Sequence, residues 1–210
     1  MLVVVFLLPS VYSESAASPV TLLLLGEIST LHPIMLSSIC IGQEGRSITN
    51  IYMLPISSSD LMAGKLVIPL VISAAACAAT GAITQLVFPM AWDQFAVLAV
   101  ALGFIVLIQG HIGMALGARY PDFSLGPRAR YVTMLGFLLA FVFGGLATFA
   151  MFSPLVVYLV TPFFSGLGLP RSEVIALLMV ITALIGVVLL FTSRSLCKAS
   201  VRKFLSDMTR

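Results

Sequence analysis

Residues 174–193 read VIALLMVITALIGVVLLFTS, a run of twenty residues without a single charge. A helix of about 20 mostly apolar residues is long enough to cross the roughly 30 Å hydrocarbon core of a bilayer. This stretch, Val174–Ser193, therefore predicts a transmembrane helix, and the rest of the chain must be interpreted around it.

The composition of the whole chain indicates an integral membrane protein. Of its 210 residues, 60% are hydrophobic and only 9% are charged, whereas soluble domains carry about 25% charged residues. So little charge also excludes a disordered chain. Eleven Lys and Arg against eight Asp and Glu form no basic stripe for nucleic acid. We therefore expect a lipid bilayer as the surroundings and no nucleic-acid partner.

Further spans of sufficient length make the predicted fold an all-α polytopic helix bundle in a membrane. Besides Val174–Ser193, three segments meet the length requirement: Lys65–Phe88, Asp93–Gly117 and Tyr131–Phe152. A fifth, Val20–Ile41, is long enough but carries Glu27, His32 and Pro33. About five spanning helices are expected, within a transmembrane domain over residues 20–210.

Two apolar stretches are too short to span. The segment 154–169 is broken by Pro162, Gly166 and Gly168, which favours a re-entrant or interfacial hairpin. The run Met1–Leu8 stops at Pro9. Residues 1–19 are therefore interpreted as a truncated apolar start and an outer loop, or alternatively as a signal peptide without the usual positive start.

The distribution of basic residues predicts the orientation, because cytoplasmic loops carry an excess of Lys and Arg. With residues 42–64 in the cytoplasm, ten of the eleven basic residues fall inside, all except Arg171. The tail 194–210 is then basic and cytoplasmic. If the segment 154–169 crossed the membrane, that tail would lie outside, so the charge pattern also favours a hairpin.

The segment 42–64, which we call the elbow, contains the most informative pattern. Ile48, Ile51 and Tyr52 recur at the spacing of one helical face, and Pro55 ends that short helix. This arrangement predicts an amphipathic helix at the membrane surface. It either lies on the lipid headgroups or docks a cytoplasmic partner, to which Glu44 and Arg46 would offer charge.

The start of the following helix is also readable. Ser57 is followed three residues later by Asp60, the spacing of a capping box that begins a helix. The new helix would pass through Gly64 and Lys65 into the membrane. A push on the elbow would then move the attached helix.

The order of these elements resembles the membrane subunits of ABC-2 type exporters. In that family an E-G-K/R element, an L-P-I-S turn and a G-K pair precede an apolar helix, and a G-A-x-x-P-x-F sequence ends a later one. The corresponding residues here are Glu44-Gly45-Arg46, Leu54-Pro55-Ile56-Ser57, Gly64-Lys65 and Gly117–Phe123. The resemblance covers roughly residues 42–130.

The resemblance implies a permease subunit of an ATP-driven exporter in the plasma membrane, the chain being the C-terminal portion of a permease. ATP would be bound by a separate cytosolic ABC ATPase, so this chain would be no enzyme and need no cofactor. It would form a homodimer or pair with another permease half. In agreement, nothing here matches the G-x-x-x-x-G-K-[ST] phosphate loop.

Polar residues at membrane depth are costly and are functional candidates by default. Four qualify: Glu27, His32, Gln109 and His111. For His111 we expect a hydrogen bond between helices or a place on a substrate path, and Glu27 needs a partner or a water-filled cavity. Their spacing offers no metal site. Gly113 and Gly117 form a GxxxG pattern that permits close helix packing.

Two other functions compete with the exporter. One is a non-transporting membrane fragment or assembly protein, which the apolar start of the chain allows. The other is an ion-coupled secondary transporter, which typically has internal repeats and broken helices. Pro33 and Pro69 hint at such breaks, but no repeat is evident. A membrane enzyme finds no support in any serine, metal or paired-aspartate motif.

Overall fold

The structure, a computed structural model, describes residues 31–44, 57–87, 91–122, 131–160 and 170–208. Apart from one isolated bridge between Pro121 and Val132, the regular structure in these ranges is helical. The five helices are α1 (Leu31–Gly42), α2 (Ser58–Val87), α3 (Trp92–Arg119), α4 (Met134–Val160) and α5 (Arg171–Met208). The predicted all-α helix bundle is confirmed.

Helices α2 to α5 are each long and apolar enough to cross a membrane. They correspond to the four clear spans predicted from sequence, so the chain is a multi-pass membrane protein. The predicted fifth span, Val20–Ile41, is described only from residue 31 onward, where α1 is a shorter apolar helix. Residues 1–30 lie outside the described part, and the expected start and outer loop lie there too.

Helix α4 continues where we expected a hairpin to begin. It passes through Pro154 and extends to Val160, so the predicted end at Phe152 is wrong. Proline lacks the N–H that would bond the carbonyl four residues earlier. The hydroxyl of Ser153 donates to that carbonyl, on Ala150, at 2.8 Å, which satisfies the freed acceptor inside the membrane. Residues 161–169 of the expected hairpin lie outside the described ranges.

Helix α5 is the longest element and joins the last span to the basic tail. Its 38 residues extend about 57 Å at 1.5 Å per residue, well beyond the roughly 30 Å hydrocarbon core. The tail therefore continues the membrane helix without a break as far as Met208.

Helix α3 lies at the centre of the bundle and packs most extensively on α5. Gly186 of α5 faces the ring of Phe104, and eleven residues further along each helix Cys197 clusters with Ala115. The two helices therefore run in the same direction. A larger apolar cluster holds α3, α4 and the start of α5 together around Leu98, Met151 and Leu178.

Large apolar side chains cover the outward faces of the other spans, as expected in lipid. Ile68 on α2 is 67% exposed, Phe149 on α4 is 73% exposed and Phe191 on α5 is 74% exposed. In water such a continuous apolar surface would be an interaction or aggregation site. In a bilayer it is the surface that contacts acyl chains.

Four helix ends meet at one end of the bundle. The second apolar cluster combines Ile41 of α1, Leu61 of α2, Ala118 of α3 and Phe204 of α5. We call this the basic end, because six basic residues lie in this part of α2, α3 and α5: Lys65, Arg119, Arg194, Lys198, Arg202 and Lys203. Asp93 and Glu173 occupy the first turns of α3 and α5, at the opposite end.

Candidate functional site

The elbow adjoins the basic end, and the structure describes four of the residues that we predict to couple the elbow and Lys65 to a partner. These are Glu44, Ser57, Asp60 and Lys65. The remaining predicted residues lie outside the described ranges: Gly45, Arg46, Ile48, Ile51, Tyr52, Leu54, Pro55 and Ile56. Their predicted helix and turn remain predictions.

The predicted cap at the start of α2 is confirmed. The backbone N–H of Asp60 donates to the Ser57 hydroxyl oxygen at 3.2 Å. The Ser57 hydroxyl in turn donates to the Asp60 carboxylate at 2.6 Å. Such a cap satisfies one of the unpaired N–H groups of the first turn. The chain leaving the elbow therefore enters α2 at a defined residue.

An ion pair joins Glu44, near the start of the elbow, to Lys65, directly after its end. The Lys65 ammonium group contacts the Glu44 carboxylate, and the Glu44 backbone N–H donates to Ile41 at the end of α1 at 3.2 Å. We expected Glu44 to offer its charge to a partner protein, which stays a prediction; within the chain its carboxylate pairs with Lys65. Partly exposed pairs stabilise by at most about 1 kcal/mol, so this pair fixes geometry more than stability.

A second contact to the same lysine comes from Cys40, which the sequence did not single out. Its thiol lies 3.5 Å from the Lys65 carbonyl oxygen and 3.0 Å from the Leu36 carbonyl oxygen. Pro69 has no N–H for the Lys65 carbonyl, so this acceptor has no backbone donor from α2 and shares the single thiol proton with the nearer Leu36 carbonyl. We call Cys40, Glu44 and Lys65 the clasp. In the sequence, the proline four residues after Lys65 could have indicated that the Lys65 carbonyl lacks its helical donor.

The GxxxG pattern of α3 packs against α1 of the same chain. A side chain at Gly113 would place its Cβ 2.8 Å from the Ile34 carbonyl oxygen, and at Gly117 it would lie 2.8 Å from the Ser38 carbonyl carbon. Both distances are shorter than real Cβ contacts, so both positions require glycine. The predicted close packing is confirmed, and this face of α3 is already covered within one chain.

Gln109 is more enclosed than His32 and His111, the other polar candidates that the structure describes, and it links α3 to α4. Its side chain is fully buried. Its amide nitrogen donates to the Gly144 carbonyl at 2.6 Å and to the Thr148 hydroxyl at 2.8 Å. Its amide oxygen has no hydrogen-bond partner among the described residues. The sequence identified Gln109 but not its partners, because helix pairing is not visible in a single span.

We predict that Gln109→Leu lowers the free energy of unfolding by about 1–2 kcal/mol, the range for hydrogen bonds between membrane helices. Thr148→Val removes one acceptor and should cost about half as much. Because the two side chains share a hydrogen bond, the double variant should lose less than the sum. Unfolding of purified protein in mixed micelles, followed by circular dichroism, measures all three. Full additivity would show that the bond contributes nothing.

The two histidines differ in their surroundings. His111 is buried, and its Nδ1 lies 2.7 Å from the Leu107 carbonyl oxygen of its own helix, rather than bonding to another helix through that nitrogen as we expected. His32 is exposed in the first turn of α1. Glu27 lies outside the described ranges. Among the described candidates, no hydrogen bond joins His32 or His111 to Gln109.

Comparisons with known proteins add no family assignment. No family model, no curated protein and no solved structure matches this chain. The interpretation of the clasp and the elbow therefore depends on the chemistry and position of their residues.

Proposed function

We propose that this chain is the membrane-spanning subunit of an ATP-driven exporter of the ABC-2 type, working with a separate cytosolic ATPase. The observation that supports the proposal best is the contact between Glu44 and Lys65. These two residues belong to the first and third of the motifs that resemble the family. Their contact joins two sequence motifs that are 21 residues apart.

The clasp supplies a path by which an event at the elbow reaches α2. The chain leaves α1 near Glu44 and enters α2 after Ser57. Lys65, the eighth residue of α2, contacts Glu44 and so holds these two points together. Beside the clasp an open cleft of about 670 Å³ separates α1 from α2, which leaves α2 room to shift. Pro69 weakens the helix one turn further on. A partner that displaces the elbow would therefore change the angle of α2.

The proposed orientation places the basic end in the cytoplasm of the plasma membrane. Six cations are grouped there and one, Arg171, begins α5 at the other end, which is the distribution that the positive-inside rule requires. The ATPase would then meet the elbow from the cytoplasm, and the C-terminus would also be cytoplasmic.

We predict that reporter fusions after Ser58, Ser124 and Arg210 all report a cytoplasmic location, whereas a fusion after Gly166 does not. The physical reason is the cost of translocating the grouped Lys and Arg. Paired reporters, one active only inside and one only outside, control for expression. A cytoplasmic signal after Gly166, or an outside signal after Arg210, would contradict this orientation.

The function itself is tested by purifying the full chain, tagged, from membranes of its own cell in mild detergent. We expect an ATP-hydrolysing chain with a G-x-x-x-x-G-K-[ST] motif to co-purify. An unrelated multi-pass protein with the same tag is the control. If no such chain is enriched over that control, the proposal fails and a non-transporting membrane protein becomes the better interpretation.

A further inference from the structure

On one side of α5, exposed apolar side chains are followed by exposed cations. Leu184, Val188 and Phe191 are 62%, 61% and 74% exposed. Arg194, Lys198 and Arg202 continue this exposed face at intervals of four residues. At 3.6 residues per turn, all six side chains fall within about a third of the helix circumference. We call Arg194, Lys198 and Arg202 the cation ladder.

The adjoining face of the same segment is packed against the bundle. Cys197 and Val201 are fully buried and Phe204 is 7% exposed, in the apolar cluster of the basic end. The cations therefore project from a helix whose back is held in place. They are arranged on a rigid support and not on a free tail.

The ladder has no acidic partner in the part of the chain that the structure describes. The ion pair found there joins Glu44 to Lys65, and the nearest carboxylate on α5, Asp207, is five residues beyond Arg202. Three cations on one helix face repel each other when no anion is near. The arrangement thus favours an external anion.

The position of the ladder along α5 matches the headgroup layer of a bilayer. From Glu173, in the first turn, to Arg194 is about 32 Å at 1.5 Å per residue, which equals the hydrocarbon thickness of roughly 30 Å. Lys198 then lies about 6 Å and Arg202 about 12 Å further along. The polar layer of one leaflet is about 5–7 Å thick. Arg194 therefore lies at the edge of the hydrocarbon and Lys198 at the aqueous boundary, whereas Arg202 lies about 5 Å further into the water.

We propose that this face of α5 binds an anionic glycerophospholipid, with its phosphate at the cation ladder and its acyl chains along Leu184, Val188 and Phe191. Grouped cations beside a membrane helix attract anionic lipids by about 1 kcal/mol each. Arginine also donates two parallel hydrogen bonds to a phosphate. Leu184, Val188 and Phe191 offer a contact for the acyl chains, which a soluble anion does not have.

The test is native mass spectrometry of the full chain, purified in detergent and incubated with equal amounts of phosphatidylglycerol and phosphatidylcholine with identical acyl chains. We expect the wild-type protein to retain phosphatidylglycerol in preference. The variant Arg194→Gln/Lys198→Gln/Arg202→Gln should lose at least about fivefold of that preference, the factor that corresponds to one cation. The single variant Lys198→Gln, which leaves the packed face intact, should show a smaller loss in the same direction.

The matched control removes three other positive charges: Arg119→Gln/Lys203→Gln/Arg210→Gln. It should retain the preference, because Arg119 and Lys203 line a cleft between α3 and α5 and are not part of the cation ladder. An equal loss in this control would show that net charge alone determines binding and would overturn the proposal. No preference in the wild-type protein would also overturn it. Loss of a co-purified acidic protein from the ladder variant, with lipid binding unchanged, would instead identify the ladder as a protein-docking surface.

Discussion

Gly117→Val is expected to lower the free energy of unfolding by about 3 kcal/mol, the upper part of the range for overpacked positions. A Cβ at this position would collide with the backbone of Ser38. Backbone cannot rotate away as a side chain does, so α1 would have to separate from α3. Unfolding of the purified protein in mixed micelles, monitored by circular dichroism, measures the loss.

The same helix offers a matched control in Gly103. A Cβ there would meet nothing within 4 Å, so Gly103→Val should change the free energy of unfolding by less than about 1 kcal/mol, the scale of intrinsic helix propensity. Equal effects at the two positions would mean that α1 does not occupy the GxxxG face of α3.

The second large effect concerns the clasp. Glu44→Lys places two cations together, and Lys65→Glu places two carboxylates together, so either variant should separate α1 from α2 at the elbow. We expect each to lower the ATP hydrolysis rate of the co-purified complex about tenfold, which corresponds to about 1.4 kcal/mol. The double variant Glu44→Lys/Lys65→Glu restores an opposite-charge pair and should return the rate to within about twofold of wild type.

The control for this experiment is Glu173→Lys, the same change of charge in the exposed first turn of α5. It should leave hydrolysis unchanged, because Glu173 lies at the other end of the bundle. If the double variant is as impaired as the single variants, or if the single variants retain the wild-type rate, the clasp has no part in coupling.

The spans were predictable because length and hydropathy are local properties of the chain. The start of α2 was predictable for the same reason, since Ser57 and Asp60 are three residues apart and form the cap directly. The end of α4 was not, because Pro154 ordinarily interrupts a helix. Only the bond from Ser153 to Ala150 shows how the helix continues.

The contacts between helices could not be derived from the sequence. The contact of Cys40 with Lys65 was not predicted, because the two residues are 25 positions apart and lie on different helices. Gln109 was identified as unusual, but its partners are 35 and 39 residues away. The contact between Glu44 and Lys65 was not predicted, because it depends on how α1 and α2 pack. The sequence shows the chemistry of each side chain, but it does not show which residues of two helices lie next to each other.

The most direct test of the central claim is crosslinking from the elbow in the intact membrane. A photoreactive amino acid at position 52, in place of Tyr52, should attach the chain to a cytosolic polypeptide with a G-x-x-x-x-G-K-[ST] motif. The same group at position 92, in place of the exposed Trp92 at the opposite end of the bundle, should not. A motif-bearing product from position 52 alone is the result we predict. Products with lipid only at both positions would contradict the claim that the elbow receives an ATPase.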